Sequence, residues 1–77
     1  IVEGIHRIAS EQKSIEKINE VLTLHMGPEF ILVNMSISFK SHLPVGNIEK
    51  AIETITKNIK EEFPMTKKVF IEAESAK

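Results

Sequence analysis

Along FILVNMSISFK, residues Ile31, Val33, Met35, Ile37 and Phe39 are apolar while Asn34, Ser36, Ser38 and Lys40 take the alternate positions. Side chains on a strand alternate between faces, so this pattern predicts a long strand with one buried face. The alternation breaks at its start, where Phe30 and Leu32 put large apolar groups on the side that should be wet. KKVFIEAES near the end of the chain predicts a strand over 67–74, with Val69, Ile71 and Ala73 on one face and Phe70, Glu72 and Glu74 on the other.

A different period governs the start. Ile1, Ile5 and Ile8, flanked by Val2 and Ala9, recur at the three-and-four spacing of one helix face and predict a helix over residues 1–13. Gly4 weakens that helix by up to about 1 kcal/mol relative to Ala, so its formation depends on docking. From Ile15 to Met26 the signal is mixed: Ile15, Ile18 and Leu22 fit a helix, yet Leu22, Leu24 and Met26 alternate with Thr23 and His25. A strand is the reading adopted. Met26-Gly27-Pro28-Glu29 predicts a tight turn, because Gly tolerates positive φ and Pro fixes its own φ. Residues 41–46 read as a loop, followed by Asn47 as a helix N-cap. Ile48, Ala51, Ile52, Ile55 and Ile59 then form an apolar stripe opposite Glu49, Lys50, Glu53, Lys57 and Lys60. Pro64 keeps Phe63 out of the helical region, which ends this helix near Glu62.

The order is α-β-β-α-β, an α+β class. A hairpin joins the first two strands, and a right-handed strand-helix-strand crossover sets the third strand parallel to the second. Both helices then cover one face of a three-stranded mixed sheet and leave the other to water unless a second copy covers it. Phe30, Leu32 and Phe70 fall on that uncovered face and predict a homodimer interface. The alternative is that the twist of the sheet tucks them under a loop.

Composition narrows the function. Seventy-seven residues make a single domain, residues 1–77, with little core to spare, so association is an expected reinforcement. With no cysteine, disulfides, thiolate metal sites and C-x-x-C soft-metal chaperones are excluded, and a reducing compartment fits. Ten basic against eleven acidic residues, and only four aromatics, argue against nucleic acid as a partner. The longest apolar run, Phe30 to Val33, is far short of the ~20 residues of a membrane span. Arg7 is the only arginine and no Gly-rich phosphate loop is present, which disfavours an acylphosphatase-like enzyme. The chain opens at Ile1 already inside a periodic pattern, and we read it as a domain excised from a longer protein.

The succession SIEKINEVLTLHMGPEFILVNMSISF, NIEKAIETITKNIKEEFP and KKVFIEAES resembles the C-terminal cytoplasmic domain of cation diffusion facilitator transporters. The features that carry the resemblance are the Gly27-Pro28 turn entering a long strand, the amphipathic helix closed by Phe63-Pro64, and the final acidic strand. The resemblance implies a ferredoxin-like, metallochaperone-like αββαβ fold that pairs two protomers beneath a membrane part exchanging divalent cations for protons. Many members hold Zn²⁺ or related ions here. Carried over by position, the family's ligands fall on Asn19, on Met35, on Ile48 or Glu49, and, for a His-x-Asp pair, on Glu72 and Glu74. None of the family's histidines is present.

Glu72 and Glu74 stand roughly 6.5 Å apart along a strand, so with Glu49 from a second copy they are candidate ligands for a weakly bound divalent cation such as Zn²⁺ or Mn²⁺. A carboxylate-only set favours hard ions over zinc. The bland alternative is a solvated strand end paired with Lys67, Lys68 or Lys77. Acid-base catalysis would need one carboxylate desolvated in a cleft, so the domain is read as non-enzymatic. His25 and His42 are expected at opposite ends of the hairpin, and His6 beside the first helix's apolar stripe. The functional expectation is a dimerisation and regulatory module on the cytoplasmic side of a cation efflux transporter. The alternative is a free-standing ferredoxin-like or ACT-like small-ligand module.

Overall fold

The computed structural model describes residues 1–75, so Lys77, one of the lysines offered to the strand-end carboxylates, lies outside the described residues. The elements are α1 (Val2–Ser10), β1 (Ile15–Gly27), β2 (Phe30–Phe39), α2 (Val45–Glu62) and β3 (Thr66–Ser75). Strand order is β1-β2-β3, with β1 antiparallel and β3 parallel to the central β2. Ile31, Val33, Met35, Ile37 and Phe39 are all buried, and they share one core with Ile5, Ile8 and Ala9 of α1 and Ala51, Ile55 and Ile59 of α2. Both helices therefore lie on the same face of the sheet, as the periodicity predicts.

The mixed signal in β1 has a structural cause. Ile15, Ile18 and Val21 pair with Phe39, Ile37 and Met35, so three residues of β1 match two of β2 at each step. Each mismatch is a β-bulge, which adds one residue and bends the strand. Two successive bulges convert a period of two into a period of three, which is why this strand imitates a helix. Beyond Val21 the pairing is regular as far as His25, and Leu22 and Leu24 fall opposite Asn34 and Leu32.

Three local expectations are corrected. The first helix stops at Ser10 rather than residue 13, and residues 11–14 turn the chain into β1. α2 begins at Val45 with Pro44 in the N-cap position, so Asn47 is inside the first turn, its N–H bonded to the Pro44 carbonyl. Pro64 does end the helix as expected, at Glu62. The hairpin closes through Pro28 and Glu29, and no described glycine has positive φ. Pro28 supplies the corner, and Gly27 is not needed in the left-handed region. That region is used instead by His42, φ 66°, where the chain leaves β2.

Gly4 has a packing role that the sequence does not disclose. A Cβ built there would sit 2.6 Å from Cζ of Phe63, the residue that closes α2. The glycine thus seats an aromatic ring against α1 at some loss of helix propensity. Nearby Arg7 bonds Glu62 of α2 and lies 3.6 Å from Glu11. The bond to Glu62 raises the guanidinium pKa, so this cation stays charged throughout the ordinary pH range. The Gly4→Ala substitution is expected to lower stability by about 1 kcal/mol, because displacing the ring outweighs the helix gain. Adding Phe63→Leu to Gly4→Ala should recover part of that loss relative to Phe63→Leu alone, read from urea melts as a double-mutant cycle.

Candidate functional site

The face of the sheet away from the helices is divided into two ends. At the hairpin end Leu22, Leu24 and Phe70 are 50%, 53% and 51% exposed, and Phe30 and Leu32 are half-buried between them. The register places all five on one side: Leu24 opposite Leu32, Leu22 opposite Asn34, Asn34 opposite Phe70, and Phe30 opposite Gly27. No helix of their own protomer covers them, since both helices belong to the opposite face. Phe30, Leu32 and Phe70 lie where the alternation puts them. Leu22 and Leu24 enlarge the patch. Their alternation with Thr23 and His25 is visible in the sequence, but assigning them to a face requires the strand register.

The other end is polar. The second bulge of β1 falls between Ile18 and Glu20, and the extra residue is Asn19. Its amide Nδ2 donates to the hydroxyls of Ser36 (3.4 Å) and Ser38 (2.9 Å) on β2. The Ser36 hydroxyl in turn donates to the Glu74 carboxylate on β3. One chain of side-chain hydrogen bonds therefore crosses all three strands. Glu72 pairs with Ser36 in the register and is exposed on the same face.

Of the positions that the family resemblance assigns as ligands, Asn19, Glu72 and Glu74 converge on this face, but Met35 does not. Met35 is 1% exposed in the core beneath the helices, and its neighbour Ser36 occupies the place facing Glu72 and Glu74. The one-residue difference matters because it moves a side chain to the opposite face. Glu49 is an exposed residue near the start of α2, in the helix layer. Among the described residues no three His, Cys, Asp or Glu side chains form a group able to hold a metal ion. The groups here are hydroxyls, an amide and carboxylates with no imidazole or thiolate among them, so the donor set of one protomer does not fit a tight zinc site.

The histidines stand apart. His25 is opposite Ile31 and His42 follows Phe39, so roughly 26 Å of strand separates them. His42 lines a cleft of about 420 Å³ with Leu43, Ile48 and Glu74, and His6 is exposed on α1. A second cleft, about 570 Å³, lies between the α1–β1 turn and the first half of α2, lined by Lys13, Asn47, Lys50 and Thr54. No helix among the described residues is long and apolar enough to cross a membrane.

Solved structures resemble the whole chain. The copper form of the MamM C-terminal domain superposes with a TM-score of 0.86 at 13% identity, covering 99% of this chain and 73% of that one. This chain has the MamM C-terminal-domain fold. A manganese form of a variant of that domain gives 0.84 at 12% identity, covering 99% of this chain and 82% of the other. A zinc form of another variant gives 0.78 at 14% identity, covering 99% and 87%. The fold is thus ferredoxin-like and metallochaperone-like, as the element order and the resemblance imply. These neighbours are cation diffusion facilitator C-terminal domains, the group that the sequence resembles. No family model matches the chain, and no curated protein matches its sequence.

Proposed function

We propose that this chain is the cytoplasmic C-terminal domain of a divalent-cation efflux transporter of the cation diffusion facilitator type, and that its work is to pair two protomers. It does no catalysis. It pairs with a second copy through the open sheet face, and by doing so sets the spacing of the membrane parts to which the two copies are joined. Those membrane parts exchange cations for protons. The observation that carries the reading is the apolar end of the open face: five large side chains on one side of a sheet whose helices are all on the other. Half-exposed leucines and phenylalanine there gain about 1 kcal/mol each when a partner removes them from water. The fold shared with MamM C-terminal domains supports the same reading.

A divalent cation has a smaller part in this account. Glu72 and Glu74 on the open face would hold one only loosely, since Glu49 belongs to the helix layer on the other side of the sheet and does not complete the set across the seam. The ion's influence on the assembly is limited to its differential affinity for the paired and unpaired states. The alternative of a free small-ligand module draws on the two clefts, which carry no convergent set of buried polar groups.

The chain has no cysteine, so cross-linking can be aimed at one position. Leu24→Cys or Phe70→Cys, treated with a short bismaleimide, is expected to give a covalent dimer, whereas Lys57→Cys on the exposed side of α2 is expected to remain single. Equal cross-linking at all three positions, or at Lys57→Cys alone, contradicts pairing through the open face.

A further inference from the structure

We infer that the hydrogen-bonded chain Asn19–Ser36/Ser38–Glu74 occupies the place a cation would take at the polar end of the open face, and makes the pairing of two copies independent of divalent metal. The inference rests on the proposed dimer and concerns its regulation.

Three observations carry it. First, the chain joins β1, β2 and β3 in one connected set, so the strands at this end are tied without an ion. Second, the connection depends on the β1 bulge, which turns Asn19 toward β2 at the point where regular pairing would place a different residue. Third, the groups present are poorly suited to a tightly held zinc ion. Asn19 directs N–H donors at the serine oxygens, and one carboxylate oxygen of Glu74 already accepts the Ser36 hydroxyl. A cation entering between them would have to break these bonds and accept neutral hydroxyls as ligands in place of imidazoles. Asn19, Glu72 and Glu74 share this face while the imidazole or thiolate donors of a tight zinc site are missing from it.

The test uses the whole 77-residue chain. Its dimer dissociation constant is measured by sedimentation, and its melting by circular dichroism, in EDTA and in excess Zn²⁺ or Mn²⁺. The expected result is no change in either quantity beyond experimental scatter. The Asn19→His, Ser36→His double variant is expected to acquire a Zn²⁺ response, with the dimer at least about tenfold tighter in Zn²⁺ than in EDTA, because binding to the paired state shifts the equilibrium by mass action. Zinc tightening of the unaltered dimer by a similar factor overturns the inference. So does a folded double variant that ignores zinc, since the positions would then not converge on a ligand. Should the unaltered chain be monomeric in every condition, the dimer reading fails, and a zinc-independent melt would still support the metal-free tie between strands. A rise in melting temperature with zinc would overturn that tie as well.

Discussion

Replacing Leu24 and Phe70 together by glutamate is expected to give a folded monomer. Both side chains are about half exposed on the helix-free face, and neither belongs to the buried core, so the fold loses little. In the proposed dimer, however, each carboxylate would be held against Leu22, Phe30 or Leu32 of its own copy and the same surface of the other. Burying an unpaired carboxylate is unfavourable by several kcal/mol, and each 1.4 kcal/mol is a factor of ten in the dissociation constant. Two such groups per copy, repelling one another across the seam, should weaken association by a factor of at least about a thousand. Sedimentation equilibrium reads the association and circular dichroism the fold. A double variant that still pairs as tightly as the unaltered chain would show that another surface makes the contact.

The second large effect lies in the core. Ile55 has no exposed surface in the packed layer between α2 and the sheet, so Ile55→Ala leaves a cavity as well as losing apolar contact. The expected loss is about 2–5 kcal/mol, which in a domain of this size is enough to unfold much of the population. Ile52 belongs to the same stripe but is only half-buried against the core. Sequence periodicity treats the two isoleucines alike, whereas the structure separates them: Ile52→Ala should cost distinctly less. Urea melts of the two variants decide it, and equal losses would mean that the stripe is docked with a different rotation from the one described.

That pair illustrates what was legible in the sequence. A period of two over Ile31 to Phe39 and of three-and-four over Ile48 to Ile59 follows directly from backbone geometry, and the structure places both stripes in one core. The strand order follows from connection rules that do not depend on side-chain detail. β1 was harder, because its bulges give Ile15, Ile18 and Val21 a helix-like spacing, and a bulge is decided by the partner strand rather than by the residues that contain it. The same event places Asn19 over Ser36 and Ser38, so the polar chain could not be read from linear spacing. Met35, on which one of the family's ligand positions falls, belongs to the buried parity of β2 and lies in the core as the alternation predicts, and on a strand one residue changes the face. Gly4 reads as a helix defect until Phe63, far away in sequence, is found against it. What alternation does supply is the anomaly at Phe30, Leu32 and Phe70, apolar side chains where a solvated face should be polar. The structure leaves these residues without a helix above them.

The claim on which the account depends is that a second copy covers this face without needing metal. Sedimentation equilibrium of the unaltered chain in EDTA, at high micromolar concentration, tests it most directly. The account predicts a species of twice the 8.7 kDa chain mass. A single species at 8.7 kDa throughout that range would contradict it.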